Sequence, residues 1–305
     1  MSRIALCFPG QGSQCAGMAD GLLEQPLART LLDVAADAGL DLASVLRGSD
    51  DVLRPTEVAQ PALLLVELVL AAALTDGLDI VGVAGHSVGE YAAVSVAGAY
   101  SAEDTMRLVL RRGREMAAMT EGTMAAVLGL DGDAVEAVCA VVRGGGGVVV
   151  VANLNAPGQV VISGDAGAIA EAGERLREAG ARRVVQLNVS GAFHSPLMAP
   201  AAARFATAIA DAPRQELRLP VACNVDGSVV ERAAELPGRL TRQLAEPVRW
   251  VDCVRALVGL GAELLVEVGP GGVLSGLARR IDPSVRTASV ASLAEAAALA
   301  APATA

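Results

Sequence analysis

The sequence predicts an α/β protein with a mainly parallel central sheet, interrupted by a small β-α-β-β-α-β unit. Its composition is 53% hydrophobic but only 2% aromatic, which is typical of a Val- and Leu-rich parallel sheet covered by helices on both faces. Apolar runs of strand length also alternate with helical stretches, as in βαβ units. With 305 residues, the chain is long enough for one large domain or two unequal ones.

The first part of the chain supplies the alternation. Ile4–Phe8 is an apolar run of strand length, and a Gly/Ser-rich loop follows it. Ala59–Leu74 has the length and period of a helix, Ile80–Ala84 is strand-like, and Glu90–Ala97 begins another helix. After residue 190 the alternation resumes, with a helix and two strands predicted at Ala201–Asp211, Leu219–Asn224 and Leu264–Val268, and a C-terminal helix predicted from Leu293.

Residues 123–190 follow a different order. Strands are predicted at Met124–Leu130, Val148–Leu154, Gln159–Ser163 and Arg183–Val189, and helices at Gly132–Val142 and Ala166–Ala179. The resulting β-α-β-β-α-β order is ferredoxin-like. We therefore predict a small ferredoxin-like subdomain at 123–190, inserted into a large domain formed by 1–122 and 191–305.

Charge, cysteines and hydropathy exclude several classes of function. The net charge is -10 and every basic residue is Arg, which argues against nucleic-acid binding. The five cysteines show no CxxC spacing, so neither a disulfide framework nor a metal site is expected. The N-terminus lacks signal-peptide organisation, and the apolar stretch Pro61–Leu74 is short and carries Glu67, so it predicts a buried helix and no membrane span. We expect a cytoplasmic monomer.

The segment Gly85–Gly89 contains a G-x-S-x-G motif centred on Ser87. It follows a strand-like run and precedes an Ala-rich helix, which is the context of a nucleophile elbow. The glycines let the backbone turn sharply, and the following helix aims its N–H groups at a developing oxyanion. We therefore predict an α/β-hydrolase-like core with Ser87 as nucleophile. The alternative is an ordinary Gly-rich turn between a strand and a helix.

A serine nucleophile needs a general base, and the chain contains two histidines, His86 and His194. His86 adjoins Ser87, and neighbouring side chains diverge on a tight elbow, so we expect it to support the turn. His194 lies in a Gly/Ser-bearing loop, and such loops often carry function. His194 is therefore the predicted base.

These motifs occur in order with several others between about Ile4 and Ile281. The others are Gly10–Gln14, Arg112-Gly113, Asn153–Gly158, Gln159–Gly164, Asn224–Gly227, Gln243-Leu244, Pro247–Trp250 and Glu267–Gly271. Together they resemble the malonyl-CoA:acyl carrier protein transacylases and the related acyltransferase domains of polyketide synthases.

The resemblance implies a role for each matching residue. Ser87 matches the nucleophile and His194 the general base, and the backbone amides of Gln11 and Val88 match the oxyanion hole. Arg112 matches the arginine that holds the free carboxylate of the substrate. The main-chain carbonyl of Gln243 matches the group that orients the histidine.

Two further positions bear on selectivity. Phe193, before the histidine, and Val88, after the serine, resemble the malonyl-selecting members of the family. Ala245-Glu246 departs from the family pattern of an aromatic residue followed by a small polar one. The departure places a carboxylate near the expected mouth of the site and bears on the preference among carrier proteins.

The resemblance implies an enzyme that moves a malonyl group from malonyl-CoA to the phosphopantetheine thiol of a transiently bound acyl carrier protein. A malonyl-serine intermediate is implied, within fatty acid or polyketide biosynthesis, and no permanently bound cofactor. The alternatives are a trans-acting polyketide acyltransferase with another extender unit, a non-catalytic scaffold, and a serine hydrolase or thioesterase. A hydrolase would need an acid between serine and histidine, for which the candidates are Asp104, Asp131, Asp133 and Asp165.

Overall fold

Two sheets organise the chain, one six-stranded and one four-stranded. The computed structural model describes residues 2–74 and 78–301. Its strands are β1 (Ile4–Phe8), β2 (Ile80–Gly85), β3 (Thr123–Leu128), β4 (Val149–Ala156), β5 (Gln159–Gly164), β6 (Arg183–Gln186), β7 (Val221–Ala222), β8 (Val229–Val230), β9 (Leu264–Val268) and β10 (Arg286–Val290).

Helices connect and cover these strands. They are α1 (Pro26–Asp37), α2 (Leu42–Leu46), α3 (Asp50–Leu53), α4 (Thr56–Ala72), α5 (Gly89–Val96), α6 (Ala102–Ala117), α7 (Gly132–Gly144), α8 (Ala166–Glu178), α9 (Ala199–Asp211), α10 (Leu236–Arg242), α11 (Trp250–Gly259), α12 (Val273–Ile281) and α13 (Leu293–Ala300). Short 3-10 turns occur at Pro196–Met198 and Ala233–Glu235.

The large sheet has the order β10-β9-β1-β2-β7-β8, and only the β7–β8 pair is antiparallel. Its centre, β1, is buried on both faces, since side chains along a strand alternate between faces. Leu6 and Phe8 join the apolar core that includes α4, α5 and α6. Ala5 and Cys7 join the core that includes α11 and α12. The predicted α/β class with a mainly parallel sheet is confirmed.

The second sheet is antiparallel, with the order β4-β5-β3-β6. Its elements follow one another as β3-α7-β4-β5-α8-β6, which is the predicted order. One face packs on α7 and α8, through residues such as Val127, Val135 and Ile162. Met124 and Val161 instead join the core of the large sheet. The subdomain boundaries at 122/123 and 190/191 stay a prediction.

Two predicted strands are shorter than expected by three or more residues, and β3 ends at Leu128, two residues before its predicted end. β6 ends at Gln186 and not at Val189. The Leu187 N–H still donates to the Met124 carbonyl of β3 at 2.9 Å, and the side chains of Leu187 and Val189 line the cavity beside Ser87. The alternation at the end of the predicted strand therefore reflects the cavity wall more than strand pairing.

The strand predicted at Leu219–Asn224 is reduced to β7. At the C-terminal end the Asn224 N–H leaves the sheet and donates to the Glu90 carboxyl at 3.3 Å, and at the N-terminal end Pro220 has no N–H to donate.

Helix α4 is the buried helix predicted from the long apolar stretch, and Glu67 is fully buried within it. In the described part of the chain, no helix is both long and apolar enough to cross a membrane. Neither carboxyl oxygen of Glu67 has a hydrogen-bond partner among the described residues. Burial, together with the nearby Glu267 carboxylate, raises the pKa of Glu67 well above its usual value.

Glu67→Gln is expected to flatten the dependence of stability on pH. A carboxyl with a raised folded-state pKa stabilises the fold fully only below its unfolded pKa, and this contribution is lost as the pH rises towards the folded value. The wild type should lose up to about 1.4 kcal/mol of unfolding free energy per pH unit in that window from this group. Urea unfolding at about pH 5 to 8 measures the slope of the unfolding free energy against pH for the wild type and for Glu67→Gln. Equal slopes would contradict the raised pKa of Glu67.

Candidate active site

Ser87 lies at the bend between β2 and α5 with a positive φ of 53°. The flanking glycines are required by sterics. A Cβ on Gly85 would lie 2.0 Å from main-chain atoms of Gly89, and a Cβ on Gly89 would lie 2.2 Å from the carbonyl oxygen of Phe8. Real Cβ atoms do not approach backbone so closely, so the G-x-S-x-G motif reflects the geometry of this bend.

Asn224 braces the bend from the end of β7. Its Oδ1 accepts a hydrogen bond from the Ser87 N–H at 2.8 Å, and its Nδ2 donates to the Gly85 carbonyl at 2.7 Å. The side chain therefore spans both sides of the elbow. The sequence singled out Asn224 only as part of a family motif and assigned it no role.

His194 meets Ser87 directly. Its Nε2 lies 2.8 Å from the Ser87 Oγ, and its Nδ1 lies 2.7 Å from the main-chain carbonyl oxygen of Gln243. A carbonyl can only accept, so Nδ1 carries the proton and Nε2 presents a lone pair to the Ser87 hydroxyl. Burial, with the Arg112 charge, lowers the pKa of His194 to about 3. The imidazole is therefore neutral and able to accept a proton near neutral pH.

Arg112 projects from α6 to the same point and is 1% exposed. Its Nη2 donates to the Ser87 Oγ at 3.1 Å and to the Gln243 Oε1 at 2.9 Å, and its Nη1 donates to the Gln60 Oε1 at 2.7 Å. The guanidinium carbon also lies 5.3 Å from the centre of the Tyr91 ring. Arg112 is thus not part of a solvated helix face, and it places a buried cation beside the serine.

A small cavity of about 110 Å³ opens over these groups. Its lining includes Gln11 and Phe193 together with the apolar side chains of Met116, Met124 and Val189. The volume is far below the ~300–1,000 Å³ of pockets for drug-sized ligands, so the cavity suits a short acyl group. Phe193 is 6% exposed and forms part of the cavity wall.

The two predicted oxyanion donors flank the serine differently. Gln11 lines the cavity, and its side-chain amide donates to the Thr56 hydroxyl at 3.1 Å. Val88 is the N-cap residue of α5, where backbone N–H groups have no acceptor within the helix. The Val88 N–H is therefore available to an anion at the serine.

The His86 side chain contacts Asn155 and Trp250 and also lines the cavity, and its role in supporting the turn stays a prediction. Its Nε2 lies 2.9 Å from the Asn155 Oδ1, and its ring makes an edge contact with Trp250 at 5.7 Å between centres. Burial lowers the pKa of His86, so the imidazole stays neutral.

Glu246 is the residue that departs from the family pattern. It is half-buried, and its Oε2 lies 3.4 Å from the Arg242 Nη1.

The described residues contain no cluster of three or more His, Cys, Asp or Glu side chains that could hold a metal ion. The site instead joins a serine, a neutral histidine and a buried guanidinium. The sequence predicted these three residues but gave no role to Gln60 or Glu90. Gln60 accepts a hydrogen bond from Arg112, and Glu90 accepts one from Gln243. Gln60 carries a signal nonetheless, since it is a polar residue in the almost wholly apolar α4.

The comparisons with known proteins agree with this architecture. The acyl transferase domain model matches residues 6–297, and so the chain is an acyltransferase by fold and class. A malonyl CoA-acyl carrier protein transacylase of Bacillus subtilis (strain 168) is 41% identical over 95% of this chain and 94% of its own length. The chain belongs to the malonyl-CoA:acyl carrier protein transacylase family.

Solved structures of malonyl-transacylases support the same family assignment. A malonyl-CoA:acyl carrier protein transacylase from Xanthomonas oryzae pv. oryzae superposes with a TM-score of 0.91 at 41% identity, covering 98% of both chains. A malonyl-transacylase solved in complex with its type II polyketide synthase acyl carrier protein has a TM-score of 0.91 at 35% identity, covering 97% of this chain and 98% of that one.

Proposed function

We propose that this enzyme transfers a malonyl group from malonyl-CoA to the phosphopantetheine thiol of an acyl carrier protein, through an ester on Ser87. The observation that carries the proposal is the meeting of two groups at the Ser87 hydroxyl oxygen. The Ser87 Oγ lies 2.8 Å from a neutral imidazole and 3.1 Å from a buried guanidinium. The names of the related enzymes and the carrier-protein complex of one of them support the same substrates.

The first half-reaction loads the enzyme. His194 Nε2 takes the hydroxyl proton of Ser87 as the Oγ attacks the thioester carbonyl carbon. The oxyanion that forms accepts hydrogen bonds from the backbone N–H groups of Val88 and Gln11, at the positive end of the α5 dipole. Collapse breaks the carbon–sulfur bond, and the proton held by His194 passes to the departing coenzyme A thiolate. The product is malonyl-Ser87.

The second half-reaction transfers the malonyl group from Ser87 to the carrier protein. The phosphopantetheine thiol gives its proton to His194 and attacks the ester carbonyl. The carbon–oxygen bond to Ser87 then breaks, and the serine oxygen takes the proton back from His194. The enzyme returns to its starting state, and one acyl group has exchanged one thioester for another. Ping-pong kinetics follow, since coenzyme A leaves before the carrier protein reacts.

Arg112 supplies the preference for a dicarboxylic acyl group. A single methylene separates the two carbonyl carbons of a malonyl chain, so its free carboxylate ends close to the ester and within reach of the nearby guanidinium. Charge-assisted hydrogen bonds of this kind contribute roughly 1.5–3 kcal/mol each. An acetyl group offers no such partner. The Phe193 ring in the cavity wall disfavours a branched extender unit such as methylmalonyl.

The geometry gives less support to a serine hydrolase with an acid triad. His194 Nδ1 faces the carbonyl of Gln243 and not a carboxylate. Three of the candidate acids have other partners. Asp104 pairs with Arg107 at 2.8 Å, Asp131 accepts from the Gly158 N–H at 3.2 Å, and Asp165 caps α8 by accepting from the Ala168 N–H at 2.8 Å.

The test of the proposed function is the fate of the malonyl group when water and a carrier protein compete for it. The enzyme is incubated with malonyl-CoA and a holo acyl carrier protein, and malonyl-carrier and free malonate are both quantified by mass spectrometry. We expect malonyl-carrier as the main product, and none with apo carrier, which lacks the thiol. Free malonate as the main product with holo carrier present would favour the hydrolase alternative.

A further inference from the structure

A fully buried carboxyl, that of Glu90, lies beneath the elbow in the first turn of α5. Its Oε2 accepts a hydrogen bond from the Gln243 side-chain amide nitrogen at 2.6 Å. The Asn224 N–H donates to both of its oxygens, at 3.3 and 3.4 Å. Glu90 therefore contacts the two residues that brace Ser87 and His194, while it does not line the cavity over Ser87.

Gln243 joins the parts of the site that do face the cavity. Its main-chain carbonyl accepts from His194, and its side-chain Oε1 accepts from the Arg112 Nη2 at 2.9 Å. Its Nε2 donates to the Ser87 carbonyl at 2.8 Å as well as to Glu90. One residue thus holds the imidazole, the guanidinium and the backbone of the nucleophile.

The Gln243 amide has one orientation that satisfies all of these partners. If the amide were flipped, its oxygen would face the Glu90 carboxylate and the Ser87 carbonyl, and its NH₂ would face the Arg112 guanidinium. Each of these pairings sets acceptor against acceptor or donor against donor. The Glu90 acceptor on one side and the Arg112 donor on the other therefore fix the amide.

We propose that ionised Glu90 is a positioning residue for the transfer reaction, acting through the Gln243 amide to keep His194 and Arg112 aligned on Ser87. The inference rests on the proposed function but concerns a residue that does not touch the acyl group. An ionised carboxyl presents acceptors only, which matches the N–H groups of Gln243 and Asn224 that point at it. A proton on Oε2 would oppose the Gln243 donor, and a proton on Oε1 would leave the Asn224 N–H only its longer contact, at 3.4 Å, with Oε2.

The groups that face Glu90 place its ionisation near neutral pH. Burial raises the pKa of Glu90 to about 7, while the hydrogen bonds from Gln243, Asn224 and the Cys223 thiol and the Arg112 charge oppose that rise. Burial also raises the pKa of the neighbouring Cys223 and Cys253 thiols, which stay protonated. His194 has its pKa near 3. The pKa of Glu67 is raised as well, but Glu67 does not line the cavity over Ser87. Loss of alignment on the acid side of about pH 7 is therefore assigned to Glu90.

The experiment is the pH profile of malonyl transfer, with kcat and KM determined separately from about pH 5.5 to 8.5. The wild type should lose kcat roughly tenfold per pH unit below about pH 7. Glu90→Gln keeps the shape of the side chain, but its amide has a single acceptor oxygen. The N–H groups of Gln243 and Asn224 both need an acceptor there. We expect its kcat at about pH 8 to fall roughly 10- to 100-fold, as for a small misplacement of catalytic groups, with no acid limb.

Two further variants separate positioning from general stability. Glu67→Gln makes the same substitution at another fully buried carboxyl, whose oxygens have no hydrogen-bond partner among the described residues, and it should keep the wild-type profile. Glu90→Asp keeps an ionisable group but shortens its reach, so its kcat should fall while the acid limb persists. If Glu90→Gln does not fold, the wild-type and Glu90→Asp profiles still test the proposal.

A wild-type profile that is flat across this range, or a Glu90→Gln enzyme with wild-type kcat or an unchanged acid limb, would overturn the inference. The failure of the proposed function looks different, because the wild type would then form no malonyl-carrier at any pH. Wild-type transfer at about pH 8 is therefore measured first. The positioning role of Glu90 is judged only on the change relative to that rate.

Discussion

Ser87→Ala is expected to abolish the malonyl adduct and to lower transfer to the carrier protein by roughly 10⁴- to 10⁶-fold, as in other serine enzymes that lose their nucleophile. The physical reason is that the mechanism has no other oxygen between His194 and the thioester. Intact-protein mass spectrometry after incubation with malonyl-CoA measures the adduct, and the carrier-protein assay measures the rate.

A matched control lies on helix α5, which begins two residues after Ser87. Ser95→Ala removes a hydroxyl from α5 that donates to the Tyr100 carbonyl at 3.4 Å and does not line the cavity over Ser87. It should keep both the adduct and the rate. A Ser87→Ala enzyme that still acquired a malonyl adduct would mean that another residue is the nucleophile. Full activity in a coupled chain-extension assay would favour the scaffold interpretation.

The elbow was predictable from sequence because its constraints are local. Gly85 and Gly89 are dictated by contacts within a few residues and with the adjoining strand β1, so a short motif carries the whole geometry. The β-α-β-β-α-β order was equally visible, since each of its elements has its own period and turn. The ends of β6 and β7 were not visible in the sequence, because Val189 lines the cavity and Asn224 contacts Glu90 at positions where the pattern predicted strand pairing.

The depth of Arg112 was harder to judge beside its neighbours Arg107, Arg111 and Arg114. Helical spacing contains the answer, however. Leu108, Val109 and Met116 are buried at positions four before, three before and four after Arg112, so Arg112 shares their face. The Glu90–Gln243 contact had no such signal. It joins positions far apart in the chain, and a glutamate after a G-x-S-x-G motif looks like any first-turn acid at a helix N-terminus.

Arg112→Ala is expected to lower the reaction with malonyl-CoA by roughly 10²- to 10⁴-fold. A guanidinium that makes two charge-assisted hydrogen bonds to the free carboxylate contributes roughly 3–6 kcal/mol, and about 1.4 kcal/mol corresponds to a factor of ten. The reaction with acetyl-CoA should fall much less, because the acetyl group has no carboxylate to lose. Competition labelling of Ser87 with equal malonyl-CoA and acetyl-CoA measures this ratio by mass spectrometry.

The ratio matters more than either rate, because Arg112 also donates to Gln60 and Gln243. Loss of those bonds misplaces Ser87 and His194 for both substrates alike, whereas loss of the carboxylate contact affects malonyl-CoA alone. Arg111→Ala is the matched control, since its side chain is 52% exposed and pairs with Glu115 at 2.6 Å. It should leave both rates and their ratio unchanged. An Arg112→Ala enzyme that is slower but keeps the wild-type preference for malonyl would assign the arginine to positioning only.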